Sequence, residues 1–580
     1  MVGWLEHPRA GWVVVAFALV IALPSLTLGF FADDYVFLDE LEHRLARDIP
    51  WWDLYRFTPG DPAAIAHLVA AGELPWWTNP ELKLHFARPL PSALLALDHA
   101  LFGHVAPLWH LHSLLWYAAM LVAVRSLFRR LLPPATATLA LFLFALSGAL
   151  ASPVAWISAR HYLAAALFCA LGLLAQQRWR AEAWQPGRWL APLSFSVALL
   201  CDEAALGGLA LAFAYDVLGP SPRDLRARSL GAMPFVAIVM AYLAIYSATG
   251  CGADGGGGYL SPISEPGKYL AGAATRFPDL LADAILGVPA ELALTWAARP
   301  LAVVGVVAAV LAGLLLRDTL RRATDEERAA VRWLLPGALV AAFAAVGGFP
   351  GARELVVPNL GVSATLAVML AHGFTAGRGA LARRALAGLL AIVHVGLAPL
   401  AQLGNQHSMK TMALATARIT AGVAGDIGPR GRLRILQASD PMANMYVNAS
   451  LAFEVDRGGA CAAPTSAVHA DVLLERTGPR TFTLAPRGTT FLTGPFEYLA
   501  RSAWHPMAVG DERRICGAVV RVVALDGGLP SRIEITDDAD LDDPSAPWLA
   551  WQGRALQRVA FPPVGGTTVI RWTPGPMGMF

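Results

Sequence analysis

The segment Gly11-Trp-Val-Val-Val-Ala-Phe-Ala-Leu-Val-Ile-Ala-Leu-Pro-Ser-Leu-Thr-Leu-Gly-Phe30 carries no charge, and it meets Asp33-Asp34 three residues after it ends. At ~1.5 Å per helical residue such a run spans roughly 30 Å, the thickness of a bilayer's hydrocarbon core. No small-residue cleavage pattern closes it, and Phe30-Phe31 follow, so it reads as a retained anchor rather than a cleaved signal. Similar apolar runs recur at about 107–127, 135–151, 161–177, 189–202, 203–218, 230–248, 299–316, 333–349, 359–376 and 385–403, which predicts eleven spans. The fifth and sixth form one apolar stretch interrupted by Asp202-Glu203.

The composition of the 580-residue chain agrees. It is 56% hydrophobic and 15% charged, against about 25% charged in an ordinary soluble domain. That excludes a soluble enzyme and a disordered chain. A net charge of +2 supplies no field for a phosphate polymer, so no nucleic-acid partner is expected. Five cysteines are too few for a disulfide scaffold of this length.

Arginine placement orients the spans. With the N-terminus in the cytoplasm, the inner loops hold Arg125, Arg129, Arg130; Arg178, Arg180, Arg188; Arg223, Arg226, Arg228; Arg317, Arg321, Arg322, Arg328, Arg332; and Arg378, Arg383, Arg384. The short outer loops hold only Arg160 and Arg353. This predicts a multi-pass membrane protein with its C-terminus outside.

Two parts are expected. Residues 1–403 form the membrane domain, with a long first outer loop over 31–106. Residues 404–580 form a mainly β extracytoplasmic domain, reached through a helix at 408–424. There Arg432–Leu436, Thr481–Leu484 and Ala518–Ala524 alternate or are β-branched, with Gly and Pro between them. Cys461 and Cys516 either pair there or stay as free thiols. Asn448-Ala-Ser450 fits a glycosylation acceptor, a pattern common by chance. In the first outer loop, Phe37-Leu38, Leu41 and Leu45 against Asp39, Glu40, Glu42 and Arg44 predict an amphipathic helix lying in the membrane interface. Trp51-Trp52 and Trp76-Trp77 read as interfacial aromatics.

Ionisable groups near a bilayer are costly and either pair or work. Five sites share the outer face: Asp33-Asp34, Arg88, Arg160-His161, Asp202-Glu203 and Arg353-Glu354. A carboxylate pair can deprotonate a hydroxyl or hold a cation, and arginines hold phosphate. Together they suit a lipid-phosphate substrate. No nucleophile elbow, Walker-type loop or metal-spaced Cys/His cluster stands out in the sequence.

Phe31-Ala-Asp-Asp-Tyr-Val-Phe-Leu38 resembles the acidic motif of the GT-C glycosyltransferases, membrane enzymes that use lipid-phosphate sugars. His85-Phe-Ala-Arg-Pro-Leu90, Trp109-His-Leu-His-Ser-Leu-Leu115, Pro153-Val-Ala-Trp-Ile-Ser-Ala-Arg160, Cys201-Asp-Glu203 and Arg353-Glu-Leu-Val-Val-Pro-Asn-Leu-Gly361 are similar to motifs of one branch. That branch comprises the transmembrane O-mannosyltransferases carrying tetratricopeptide repeats, and their bacterial relatives. The resemblance covers about residues 10–375. Asp202 stands where the branch usually has Lys, and the β-rich domain stands in place of the repeats.

The resemblance implies an inverting transfer of a sugar from a polyprenyl-phosphate donor to an extracytoplasmic hydroxyl on a protein or envelope glycan, with mannose a candidate sugar. It implies Asp33 as general base, with Asp34 orienting it or a divalent cation; no other cofactor is implied. Arg353 is the first choice for the phosphate clamp, then Arg88 and Arg160. Glu203 orients an arginine or the sugar hydroxyls, Glu354 is a further substrate-binding candidate, and Tyr35, Trp156 and His161 line the sugar pocket. Two other readings stand beside it: a transporter or lipid flippase, and a non-catalytic membrane scaffold whose β domain binds an envelope partner.

Overall fold

The computed structural model describes residues 2–220, 224–294, 297–375, 380–427, 431–454 and 461–575; Arg223 and Arg378 lie outside the described residues. Among the described residues seven helices are long and apolar enough to cross a membrane: Ala10–Thr27, Ala106–Leu131, Ile157–Glu182, Arg228–Ala248, Ala298–Leu320, Asp325–Ala345 and Leu381–Asp426. Pro134–Ala145 with Gly148–Ala155, bent by 47°, makes an eighth if the two form one span. The chain is a multi-pass membrane protein with a C-terminal β-sheet domain.

Three of the eleven expected spans are shorter helices, Gly187–Leu199, Ala205–Leu218 and Asn359–Gly373, of 13, 14 and 15 residues. Each is roughly 20–23 Å long, less than the hydrocarbon core. Ala205–Leu218 lies against Asp325–Ala345, Asn359–Gly373 is buried on most faces, and Gly187–Leu199 leaves Trp189 and Leu193 exposed. At the other extreme, the run expected as a span at 385–403 plus a separate helix at 408–424 is one 46-residue helical segment. Pro399 does not break it, because the wider π turn Ile392–Leu397 sits where the proline ring would otherwise meet the carbonyl of Val395.

Three strands lie within the membrane half of the sequence. β1 (Arg56–Pro59) and β2 (Lys83–His85) of the first outer loop pair with β3 (Gly252–Asp254) in an antiparallel sheet. The remaining strands are C-terminal: β4 (Arg432–Gln437), β5 (Cys461–Ser466), β6 (Val472–Arg476), β7 (Thr481–Pro486), β8 (Glu512–Ile515), β9 (Ala518–Asp526), β10 (Leu529–Thr536), β11 (Trp548–Gln552), β12 (Ala555–Arg558) and β13 (Thr567–Ile570). They form a six-stranded antiparallel sheet in the order β13-β6-β7-β10-β9-β8. A four-stranded mixed sheet, β12-β11-β4-β5, completes the domain. The three stretches read as strands fall in β4, β7 and β9. On β9 and β10 the period-two pattern works as expected, with Val520, Val522, Ile533 and Ile535 fully buried.

The segment 31–106 contributes to this domain's core. Ile65, Val69, Trp76 and Trp77 share one buried cluster with Val472, Leu474, Phe482 and Val520. The Trp76 indole donates to the Thr465 carbonyl at 2.9 Å. The Arg501 guanidinium donates to the carbonyls of Trp77 and Thr78 at 2.6 and 3.1 Å. Trp76-Trp77 are therefore core anchors rather than interfacial aromatics, while Trp51 and Trp52 stay exposed. Cys461 and Cys516 form a disulfide whose sulfurs rest on Gly72; a Cβ there would lie 2.7 and 2.8 Å from them, at a φ of +78°. Asn448 is buried on the helix Val447–Glu454 and its side-chain oxygen accepts from the Ala462 N–H at 3.2 Å, so the sequence match for glycosylation is not an accessible acceptor.

The acidic helix also differs from expectation. It runs Asp33–Leu41 and ends before Leu45. Asp39 and Glu40, read as its solvent face, are buried, and Glu40 is ion-paired to Arg47. The loop's own arginines and the C-terminal segment cover the face that was assigned to water.

Candidate active site

The site begins where the first span stops. After the short turn Leu23–Thr27 the chain extends, and Ala32 adopts φ +52°, ψ −116°, a region costly for a residue with a Cβ. That reversal starts the helix Asp33–Leu41 with the two aspartates in its first turn. They have different surroundings. Asp34 is buried and fully engaged: Oδ2 accepts from the Phe31 N–H at 3.0 Å, and Oδ1 accepts from the Ser158 N–H at 2.8 Å and from the Ser158 hydroxyl. The Trp156 indole donates to the Phe31 carbonyl at 3.1 Å, a second stitch between the same two loops. Burial pushes the Asp34 carboxyl up to about 7, while the Ser158 and Phe31 hydrogen bonds pull the other way.

Asp33 is half-buried. Its Oδ1 accepts from the Tyr446 hydroxyl at 2.8 Å; among the described residues its second oxygen takes no hydrogen bond. Burial raises its pKa, opposed by the Tyr446 hydrogen bond and then by Arg353, Arg47 and Arg88. One carboxylate is thus a structural tie, and the other is held at one oxygen and open at the next.

The three candidate arginines separate in the same way. Arg88 caps the helix Pro89–Phe102 and sits over the rings of Tyr55 and Phe86. It donates to Glu203 through Nε at 2.9 Å and lies 3.0 Å from Asp202. His161 is 3.2 Å from Arg88 and 2.6 Å from Asp202. Two carboxylates therefore surround one guanidinium. Arg160 is buried and turned to Asp98, the Trp109 carbonyl and the Ser113 hydroxyl. Arg353 is half-buried beside the Phe349 ring, 5.7 Å from its centroid. Among the described residues no carboxylate lies within ion-pairing distance of it. It is also the leading positive charge acting on Asp33. Glu354 accepts from the Tyr162 hydroxyl at 2.7 Å, and burial pushes it up to about 7 against the pull of Arg353.

The structure brings together Asp33 with Tyr446, Arg88 with Asp202, Glu203 and His161, and Glu354 with Tyr162. It turns Arg160 away to Asp98, and it buries Tyr35, whose hydroxyl donates to Glu454 at 3.3 Å. Tyr446, Glu454, Asp98, Tyr162 and Arg47 escaped the sequence reading. Tyr446 and Glu454 lie more than 400 residues from the aspartates, and no local pattern links them. Asp98 carried a weak signal, an acidic residue on an apolar helix. Among the described residues neither aspartate belongs to a group of three convergent His, Cys, Asp or Glu ligands.

No family model matches the chain, and no curated protein matches it. Among solved structures, it is similar to the Archaeoglobus fulgidus oligosaccharyltransferase tethered with an acceptor peptide containing the NVT sequon. That pair has a TM-score of 0.41 and 12% identity over 77% of this chain and 63% of the other. It is also similar to ArnT from Cupriavidus metallidurans bound to undecaprenyl phosphate, with a TM-score of 0.37 and 16% identity over 78% of this chain and 86% of the other. The chain thus spans less than two thirds of the oligosaccharyltransferase. Overlap of this size assigns no activity.

Proposed function

We propose that this protein is an inverting GT-C-type glycosyltransferase that moves a sugar, with mannose the first candidate, from a polyprenyl-phosphate donor to an acceptor hydroxyl on the outer face of the membrane. The observation that carries the reading is an aspartate held at one oxygen by Tyr446 and open at the other, Asp33, just after the first span, with Arg353, which among the described residues has no carboxylate within ion-pairing distance, as the leading positive charge acting on it. Asp33 takes the acceptor's proton as the hydroxyl oxygen attacks the anomeric carbon from the face opposite the phosphate. The carbon–oxygen bond to phosphate breaks, and the leaving phosphate gains negative charge. A guanidinium without a carboxylate partner strengthens its contact as that charge develops, which is the condition for lowering a barrier. A carboxylate whose pKa is raised by burial is also a better base than an ordinary one. Arg88, already neutralised by Asp202 and Glu203, holds the architecture instead. A bacterial inner-membrane location with the C-terminal domain outside belongs to the same proposal.

The test is transfer of labelled sugar from a panel of polyprenyl-phosphate sugars by the purified full chain, and glycan profiling of cells carrying the variants. Asp33→Asn is expected to lose about 10²–10⁴ in rate and Arg353→Ala about 10²–10³, with normal expression of both. Undiminished transfer by Asp33→Asn refutes the base assignment.

A further inference from the structure

Far from the open aspartate, the C-terminal end of the same helix meets two imidazoles. Glu42 caps the helix Asp33–Leu41, His99 lies in the last turn of Pro89–Phe102, and His104 follows that helix. Gly103 makes the reversal between the two histidines at φ +52°, ψ −127°, a conformation that a residue with a Cβ rarely adopts. The turn brings His104 back beside His99, ring centres 6.4 Å apart. Both Nε2 atoms point at one carboxylate oxygen, Glu42 Oε1, at 3.0 Å from His99 and 2.5 Å from His104. The three donor atoms all lie within 4.8 Å of one another.

We infer that Glu42, His99 and His104 form a binding site for a divalent transition metal of the zinc class. Two imidazole nitrogens and one carboxylate oxygen are a donor set that suits zinc and disfavours calcium and magnesium, which prefer oxygen ligands. Tetrahedral ligands about 2.1 Å from zinc stand roughly 3.4 Å apart, so the two spacings to Glu42 Oε1 need to open by less than about 1 Å. The outer contacts are those such a site requires. Arg44 Nε holds the other Glu42 oxygen at 2.7 Å, which keeps the group a carboxylate and aims Oε1 at the histidines. The Arg44 guanidinium is itself tied to the Ala452 carbonyl at 2.7 Å. His104 packs on Phe453, ring centres 4.8 Å apart, and its outer side is exposed, which leaves a fourth position for water.

The site is distinct from the acidic pair. Asp33 and Glu42 are nine residues apart on one helix, about 13 Å along its axis, so this metal does not touch the proposed reaction. It would join the far end of the acidic helix to Pro89–Phe102 and to the C-terminal segment that also packs on Tyr35 through Phe453. Its role is to fix that helix, and it does so whether or not the chain transfers sugars.

The experiment uses the full chain in detergent, stripped with a chelator and dialysed. Cobalt(II) titration of the wild type is expected to give visible d–d bands of a four-coordinate site at one ion per chain, bleached by an equimolar amount of zinc. By competition with a chromophoric chelator, His99→Ala and His104→Ala are each expected to weaken zinc binding at least about tenfold, while His407→Ala, an exposed histidine elsewhere, leaves it unchanged. Absence of the cobalt bands in the wild type overturns the site even if the variants misfold. Equal zinc affinity in the wild type and the His99→Ala/His104→Ala double variant overturns it as well. Neither outcome bears on Asp33, because the readout is metal binding and not transfer.

Discussion

Tyr446→Phe isolates the one hydrogen bond that the C-terminal domain makes to the open aspartate. The Tyr446 hydroxyl donates to Asp33 Oδ1 at 2.8 Å, and both groups lie outside the spans. A hydrogen bond to a charged acceptor is worth about 1.5–3 kcal/mol, and 1.36 kcal/mol corresponds to one pKa unit, so its removal moves Asp33 by roughly one to two units. The direction is upward, because the bond favours the ionised form and burial already raises the pKa. The active form of the base is the carboxylate. The acidic limb of kcat/KM against pH is therefore expected to move to higher pH by about that amount, with the plateau above it kept or slightly raised, since the freed carboxylate is more basic. Stability follows the same sign. A carboxyl with a raised folded-state pKa favours the fold below its unfolded pKa and loses that contribution as pH rises through the folded value. The variant's extra destabilisation is thus largest above the shifted pKa and vanishes in acid. Parallel pH–rate profiles and thermal melts of wild type and Tyr446→Phe decide the matter. An acidic limb that stays in place or moves down refutes the assignment of Asp33 as the titrating base.

Asp34→Asn should act on folding rather than on titration, because an amide places N–H donors against Phe31 or Ser158 where the carboxylate accepts three hydrogen bonds; a loss of about 1–3 kcal/mol in chemical denaturation is expected. Arg88→Ala leaves Asp202 and Glu203 without their cation, and breaking such a buried pair costs about 3–5 kcal/mol, read as lower yield and melting temperature; Arg88→Ala combined with Asp202→Asn and Glu203→Gln should recover much of it. Cys461→Ser or Cys516→Ser opens a loop of 55 residues, worth about 4 kcal/mol in the loop-closure model, and should make the C-terminal domain protease-sensitive under conditions where the wild type resists cleavage.

The membrane helices were legible because a twenty-residue apolar run has few other uses. The count was harder. Gly187–Leu199, Ala205–Leu218 and Asn359–Gly373 come from apolar runs like those of the longer spans, and only their length in three dimensions sets them apart. The β domain announced itself through alternation at β4, β7 and β9. Trp76-Trp77 was misread because an aromatic pair near a span suits both an interface and a core, and the partner that decides between them, Thr465, is hundreds of residues away. The acidic pair was visible as charge with no topological duty. The split between Asp33 and Asp34 was not, since it depends on Ser158 and Tyr446 arriving from other elements. Arg160 and Arg353 look alike in sequence, and only the structure shows that Asp98 holds Arg160, while among the described residues no carboxylate is within ion-pairing distance of Arg353.

The seating of the first outer loop in the β domain also sets an order of events in time. Trp76 leaves the ribosome 389 residues before Thr465, the carbonyl its indole binds. At ~5–20 residues per second that interval is roughly 20–80 s. Throughout it, two of the largest apolar side chains in the loop have no core to enter. The membrane half can be fully inserted while its outer surface is still unfinished, and a chain arrested anywhere before β5 shows a Trp-Trp pair to whatever chaperones or proteases patrol that side. The C-terminal β domain, made after the membrane half, is the part that retires this early-exposed hydrophobic surface.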